Sequence, residues 1–238
     1  ILRMCLHRKE GTIGLNPVAV VRDLGVPNPS WSQEMMDQFE KFTKMSEDGS
    51  WQRIPSYNNS NPSSSLTRGQ FCTNFSPIHP DACLFVRNVA AEGRGFEFAM
   101  FYNGSERRMA VPLQTGSYLE GMIGFVHGGA VAAILDHTFA SCGICASGIV
   151  VTANLSVSYK SPIPLGSVVL VETKVEKVEE KKIFLSGCVQ STNARILHAE
   201  ATGESTCGIQ LDPPIGSPSW ENSLGRGLLL SSLLWKEE

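Results

Sequence analysis

The stretch that decides the fold is residues 124–148, GFVHGGAVAAILDHTFASCGICASG. Residues 128–146 have helical length and little β-strand signal, which predicts one helix about 28 Å long. Because nearly every position is apolar or small, we expect this helix to be buried on all faces. Asp136 lies in its middle, and a buried carboxylate without partners costs several kcal/mol or shifts its pKa. Its presence there needs a cause.

Two causes for Asp136 are compatible with the sequence. In the structural one, the carboxylate bonds a neighbouring hydroxyl, such as that of Thr138 or Ser141, or reaches an edge of the helix. In the functional one, it is a general base or a nucleophile in an apolar pocket. The residues alone leave both open.

The start of the helix is a second candidate feature. Gly128 and Gly129 carry no side chains, so their backbone N–H groups are open to an anion or a carbonyl oxygen at the positive end of the helix dipole. A plain glycine turn is the alternative. Together with Asp136, such a helix start supplies what acyl-transfer hydrolysis requires.

The spacing of these groups predicts an assembly. Gly129 and Asp136 are about 10 Å apart along a helix axis, so one carbonyl group cannot reach both within one subunit. An antiparallel helix from a second subunit would bring its Asp136 opposite this chain's Gly129. We therefore expect a two-fold homodimer, or a higher oligomer built from it, with shared sites.

Strand patterns flank the helix on both sides. They are separated by short polar turns, which favours antiparallel hairpins and an α+β fold with one long helix against one sheet. In residues 149–160 the alternation predicts Ile149 and Val151 on one face and Thr152 on the other, polar face. The predicted strands are 84–89, 96–102 and 108–113 before the helix, and 149–160, 167–178, 182–191 and 194–211 after it.

Composition divides the chain into four parts. Residues 1–54 form an N-terminal segment with an amphipathic helix at about 30–47, for which Ser30 and Gln33 provide a capping box. Residues 55–82 are a linker rich in Ser, Asn and Pro. Residues 83–212 are the α+β domain, and residues 213–238 are a tail without a predicted structure.

Charge and cysteine content exclude several classes of protein. The net charge is −3 and the pI about 6.0, unlike a nucleic-acid-binding surface. The seven scattered cysteines do not suggest a disulfide framework, and no apolar run reaches the roughly 20 residues of a membrane span. Cys142 and Cys145 form a C-x-x-C near the end of the helix, where the dipole opposes a redox role. No metal-ligand cluster or nucleotide-binding glycine motif is evident, so no cofactor is expected.

Several segments together resemble the hotdog-fold acyl-coenzyme A thioesterases. The central pattern is His-Gly-Gly-x6-Asp-x-Thr at 127–138, followed by GIVVTANLSVSYKSPIPLG at 148–166. The flanking segments VPNPSW, GRGFEFAMFYN and SYLEG also resemble the family. The resemblance implies a long helix wrapped by an antiparallel sheet, a dimer, and hydrolysis of fatty acyl-coenzyme A to fatty acid and coenzyme A.

The resemblance also implies roles for single residues. The N–H groups of Gly128 and Gly129 would hold the thioester oxygen, and His127 would shape the helix start. Asp136 would activate water or attack to form an anhydride, and Thr152 would orient the water or Asp136. We further expect three lysines to contact the coenzyme A phosphates: Lys160, Lys181 and Lys182.

Two departures from the family pattern concern the same site. Met122 and Ile123 replace two prolines that would stiffen the loop before the helix. His137 follows Asp136 where a small residue is usual, and a cationic His137 would favour the ionised carboxylate.

A non-enzymatic role and a location are also expected from the resemblance. The alternative function is binding and restraint of an Akt-type protein kinase, with or without thioesterase activity. The basic and apolar residues 1–10 are compatible with the end of an organelle-targeting peptide. We expect a mitochondrial or cytoplasmic location, or one at a membrane surface.

Overall fold

The computed structural model describes residues 22–57 and 83–207. These residues form two α-helices and eight strands, with short 3-10 helices at Phe85–Arg87 and Ser117–Leu119. The α-helices and strands are α1 (Gln33–Met45), β1 (Trp51–Ile54), β2 (Phe96–Phe98), β3 (Met100–Asn103), β4 (Arg108–Thr115), α2 (Gly128–Ser147), β5 (Val150–Tyr159), β6 (Val168–Glu179), β7 (Lys182–Ser191) and β8 (Leu197–Cys207).

All eight strands belong to one antiparallel sheet wrapped around α2. Its order is β1-β3-β4-β6-β7-β8-β5, and β2 pairs with β4 beside β3. The predicted α+β architecture with one long central helix is therefore confirmed. Strand β5 lies at one end of this order, and none of the described residues pairs with its outer edge.

Helix α2 packs on the sheet by close approach at two glycines. A Cβ on Gly203 would lie 2.5 Å from the ring of Phe139, and one on Gly187 would lie 2.6 Å from it. Both distances are shorter than a non-bonded contact allows, so these strands come closest to the helix where they carry no side chain. The buried residues of α2 are Val131, Ile134, Leu135, Thr138, Phe139, Ser141, Cys142 and Gly143.

The expectation that α2 is buried on all faces holds for only part of its surface in one chain. Gly129 is exposed, and Ala133, Asp136 and Ala140 are half-buried. These positions fall on one face of the helix, because they are spaced by three, four or seven residues. By length and composition α2 also qualifies as a possible membrane span, but its other face forms the centre of the core.

Helix α1 covers the outer face of the sheet, opposite α2. Its Phe42 stacks on Phe101 of β3, with ring centroids 5.3 Å apart, and Met35 is fully buried. The helix begins later than the predicted capping box. Ser32, not Ser30, is the N-cap and accepts the N–H of Met35 at 3.3 Å, while the Ser30 hydroxyl donates to the Asn28 side chain.

The predicted strand at 84–89 is wrong, because Arg87 turns inward. Its guanidinium donates to the carbonyl oxygens of Phe96 and Phe98 at 3.1 and 2.8 Å and lies 3.5 Å from the centre of the Phe98 ring. Its Nε also donates to the Ser56 hydroxyl at 3.0 Å. These contacts need a tight turn, and the 3-10 helix Phe85–Arg87 provides it.

Strand β1 is a further difference from the sequence-based prediction. The segment 51–54 pairs antiparallel with β3, from Trp51 opposite Asn103 to Ile54 opposite Met100. The N-terminal segment thus contributes a strand to the sheet. The linker prediction for 55–82 falls mostly on residues outside the described ranges, as do the predictions for 1–10 and 213–238.

A β-bulge in β5 reverses the predicted faces of its first half. Thr152 pairs with Ser205, but the next paired residue is Asn154, so Ala153 is extra. Val151 is 51% exposed and Ile149 is 49% exposed, whereas Ser205, opposite Thr152, is buried on the helix side of the sheet. Thr152 therefore faces α2 and not the polar side, because a bulge shifts the two-residue alternation by one.

Candidate functional site

His127 closes the start of α2 as its N-cap residue. Its ring Nδ1 accepts the N–H of Gly129 at 2.9 Å. The imidazole therefore has its lone pair on Nδ1 in this conformation. The predicted shaping role of His127 takes this form, and the Gly129 N–H already has an acceptor.

Tyr159 holds the same turn from the opposite side and was missed by the sequence reasoning. Its hydroxyl donates to the carbonyl oxygen of Gly128 at 2.9 Å. Tyr159 is the last residue of β5 and is 55% exposed. An aromatic residue at the end of an alternating strand is the only signal in the sequence, and it does not say which helix turn the hydroxyl reaches.

Asp136 lies two turns beyond Gly129 on the half-exposed face of α2. Within residues 22–57 and 83–207 its carboxylate accepts no hydrogen bond and forms no ion pair. The structural explanation through Thr138 is wrong, since the Thr138 hydroxyl donates to the carbonyl oxygen of Ile134 at 2.6 Å.

Thr152 and Asp136 are brought to the same interface between α2 and β5. Tyr159 lies against Gly128, and a Cβ on Gly143 would lie 3.1 Å from Val150, so β5 runs antiparallel along the helix. Gly143 shares the helix face of Asp136, and Thr152 is the next inward residue after Val150. The bulge thus turns the Thr152 side chain toward this face of α2.

His137 does not supply the cation that its position suggested. Burial, together with the smaller effect of the nearby Arg87 charge, lowers the pKa of His137 to about 4. Its ring packs edge-on against Phe98, with centroids 5.5 Å apart, and its Nε2 has no partner among the described residues. With this pKa His137 is neutral near pH 7, so it does not add a positive charge beside the Asp136 carboxylate.

The loop before α2 is closed by hydrogen bonds where the family pattern has prolines. The Gly121 N–H donates to the Phe125 carbonyl at 2.9 Å, and the Gly124 N–H to the Glu120 carboxylate at 2.8 Å. Met122 and Ile123 at its tip are 72% and 90% exposed. The loop therefore has a defined turn without proline.

A cavity of about 340 Å³ opens beside the helix start. Its lining includes Gly128, Val131, Tyr159, Lys160 and His198. A larger cavity of about 580 Å³ lies across the strands and is lined by polar side chains of β4 to β8. We place the site at the smaller one, because Gly128 at the start of α2 lines it, although Gly129 and Asp136 are not among its lining residues.

The three candidate lysines do not lie together in one chain. Lys160 lies at the helix start and pairs with Glu200 at 3.1 Å. Lys182 pairs with Glu204 at 2.7 Å, next to Lys181 in the β6–β7 turn. That turn is near the first residues of β5, at the far end of α2. Only Lys160 therefore lines the cavity within the same subunit.

The cysteine pair in α2 is unsuited to redox chemistry. Burial raises the pKa of Cys142 and of Cys145 to about 12, so both thiols stay protonated at neutral pH. Among the described residues no three His, Cys, Asp or Glu side chains are grouped as metal ligands.

Known proteins match the part of the chain that contains the candidate site. The profile of the thioesterase superfamily matches residues 123–196, from the loop before α2 to the turn before β8. Acyl-coenzyme A thioesterase THEM4 of Rattus norvegicus is 45% identical over an alignment of 234 positions, which covers 90% of this chain and 98% of that protein. THEM4 of Xenopus laevis is 44% identical over 76% of this chain and 78% of its own length. Acyl-coenzyme A thioesterase THEM5 of Mus musculus is 31% identical over 77% and 74%.

Proposed function

The chain belongs to the thioesterase superfamily, in the group of the acyl-coenzyme A thioesterases THEM4 and THEM5, and from this premise we propose that it hydrolyses fatty acyl-coenzyme A to a free fatty acid and coenzyme A. The observation that carries the proposal is the Asp136 carboxylate, which has no partner in the described part of the chain and lies on the half-exposed face of a helix of mostly apolar and small residues. A group in that setting is costly for stability and useful for chemistry.

The proposed reaction uses the helix start of one chain and the Asp136 carboxylate of the facing chain. The N–H of Gly129, with that of Gly128, holds the thioester oxygen and stabilises the negative charge that develops on it. Asp136 takes a proton from water as the water oxygen attacks the carbonyl carbon, and Thr152 orients that water. The C–S bond then breaks, and the coenzyme A sulfur receives the proton. Direct attack by Asp136, with hydrolysis of the resulting anhydride, is the alternative path.

The Gly129 N–H has to change partner during this reaction. In the free chain it donates to His127, so the thioester oxygen either displaces the imidazole or shares the donor with it. His127 is exposed, and its side chain has room to turn away from the helix.

A homodimer completes the proposed site. Gly129 and Asp136 lie in one continuous helix, about 10 Å apart along its axis. The face that carries both is half-exposed, and among residues 22–57 and 83–207 none pairs with the outer edge of β5, where we place the second copy. Antiparallel pairing would bring each Asp136 opposite the partner's Gly129. In this arrangement the Lys181 and Lys182 turn of one chain approaches the helix start of the other.

The carboxylate is tested by Asp136→Asn. We expect kcat for fatty acyl-coenzyme A, assayed over a series of chain lengths, to fall about 1000-fold, a loss typical for a catalytic group. Asp37→Asn on α1 is the matched control and should keep full activity. Light scattering should give a dimer for all three proteins. An active Asp136→Asn enzyme, or an active monomer, would contradict the mechanism.

The kinase-binding alternative and the location stay predictions. The first depends on the N-terminal segment and on 55–82, of which the described part is 22–57. The second depends on residues 1–10, which lie outside the described ranges.

A further inference from the structure

The peptide unit between Gly128 and Gly129 is held at both of its polar atoms. The Tyr159 hydroxyl donates to the Gly128 oxygen at 2.9 Å, and the Gly129 N–H donates to His127 at 2.9 Å. The oxygen and the N–H of one peptide unit lie in a common plane and point in opposite directions. A group that fixes the oxygen therefore also fixes the direction of the N–H.

This peptide unit belongs to the first turn of α2, and apart from the helix backbone it has few restraints. Both of its residues are glycines, which have the widest range of backbone angles and no side chain to pack. The ring of Tyr159 packs against Gly128, where a Cβ would lie 3.5 Å from the ring carbons. Tyr159 is more than half exposed, so burial alone does not explain its position.

The hydrogen bond also changes the peptide unit electrostatically. A carbonyl oxygen that accepts a hydrogen bond polarises its amide and strengthens the N–H as a donor. The Tyr159 hydroxyl thus makes the Gly129 N–H a stronger and better directed donor than a free glycine turn would offer.

We propose that Tyr159 is a positioning residue, which holds the Gly128–Gly129 peptide unit so that its N–H points at the thioester oxygen. The inference rests on the proposed function, because that function gives the Gly129 N–H its task. Tyr159 itself touches neither the reacting carbon nor the water; it acts through the peptide unit.

The test removes one oxygen atom by Tyr159→Phe. We expect kcat to fall about tenfold, the worth of one hydrogen bond, while KM stays within about twofold. Hydrogen exchange of the Gly129 amide should become faster in the variant, measured without substrate. Tyr118→Phe is the matched control: Tyr118 is 66% exposed, and its hydroxyl has no partner among the described residues. Tyr118→Phe should change neither kcat nor the exchange rate of the Gly129 amide.

Several results would overturn the proposal. They are an unchanged kcat together with unchanged exchange, a rise in KM as large as the fall in kcat, or a Tyr159→Phe protein that is monomeric by light scattering. If the unmodified protein cleaves no fatty acyl-coenzyme A, the proposed function fails. Amide exchange then still decides whether Tyr159 holds the peptide unit.

Discussion

The two α-helices lie on opposite faces of one sheet and follow different rules. Helix α1 has a serine N-cap, an acidic residue in its first turn and a basic one in its last, and an apolar face on the sheet. Helix α2 has a histidine N-cap and no charged residue in either terminal turn. At its middle it carries the Asp136 carboxylate, for which the described residues provide no partner. Helix α1, whose caps and charges favour helix stability, is an outer layer of the fold. Helix α2, which lacks these features, carries the candidate site.

The largest expected effect is the loss of stability when a buried aromatic ring is removed from either helix. Phe139→Ala in α2 should lower the free energy of unfolding by about 4 kcal/mol, because its ring fills the space above Gly187 and Gly203. Phe42→Ala in α1 should cost about 3 kcal/mol and leave thioester cleavage intact. Urea unfolding and a cleavage assay measure both. If Phe42→Ala lost as much thioester cleavage as Phe139→Ala, the structural role of α1 would not be separate from the activity attributed to α2.

A smaller effect concerns the neutral His137 of α2. Its pKa is about 4 in the folded chain and near 6.5 when unfolded. As the pH falls from 6.5 to 4, the unfolded state gains a proton that the folded state does not, so stability decreases by up to about 3 kcal/mol. Urea unfolding at several pH values should show this loss, and His137→Phe should reduce it.

The control for that titration lies on the other helix. Asp37→Asn in α1 removes an exposed carboxylate, so its stability curve should follow that of the unmodified protein. If His137→Phe lost as much stability between pH 6.5 and 4 as the unmodified protein, His137 would be excluded as the cause.

The smallest effect compares the two N-caps. Ser32→Ala should lower stability by about 1 kcal/mol without a change in kcat or KM. His127→Ala should cost no more in stability, but KM should fall about 2- to 10-fold, because the Gly129 N–H loses an acceptor that competes with substrate. Steady-state kinetics and thermal unfolding measure these quantities. An unchanged KM would mean that the imidazole does not compete.

The sequence predicts what depends on long, uniform patterns. Helix α2, helix α1 within three residues at its start, and the four strands after α2 all lie where expected. Failures concern single contacts between distant segments. Arg87 turns 84–89 into a 3-10 helix through carbonyl groups of β2, and β1 needs β3 as its partner. Neither partner is visible in the local alternation of residues.

The features of the candidate site also differ in whether local sequence patterns or contacts between distant segments determine them. Gly128, Gly129 and Asp136 follow from helix spacing, which is a local property. The neutral state of His137 depends on Phe98 and Arg87, and the role inferred for Tyr159 depends on how β5 lies along α2. The inward direction of Thr152 is defined only by its pairing with β8.

The extra residue Ala153 lets two halves of one strand face the helix although their numbering differs in parity. Val150 and Thr152 before it, and Leu155 and Val157 after it, lie on the helix side of the sheet. Deleting Ala153 would keep Thr152 opposite Ser205 and Asn154 opposite Glu204, so Thr152 would still face α2. Deleting any other residue of β5 would move the residues on one side of the deletion to the opposite face, so the strand should tolerate the loss of this one residue better than the loss of its neighbours.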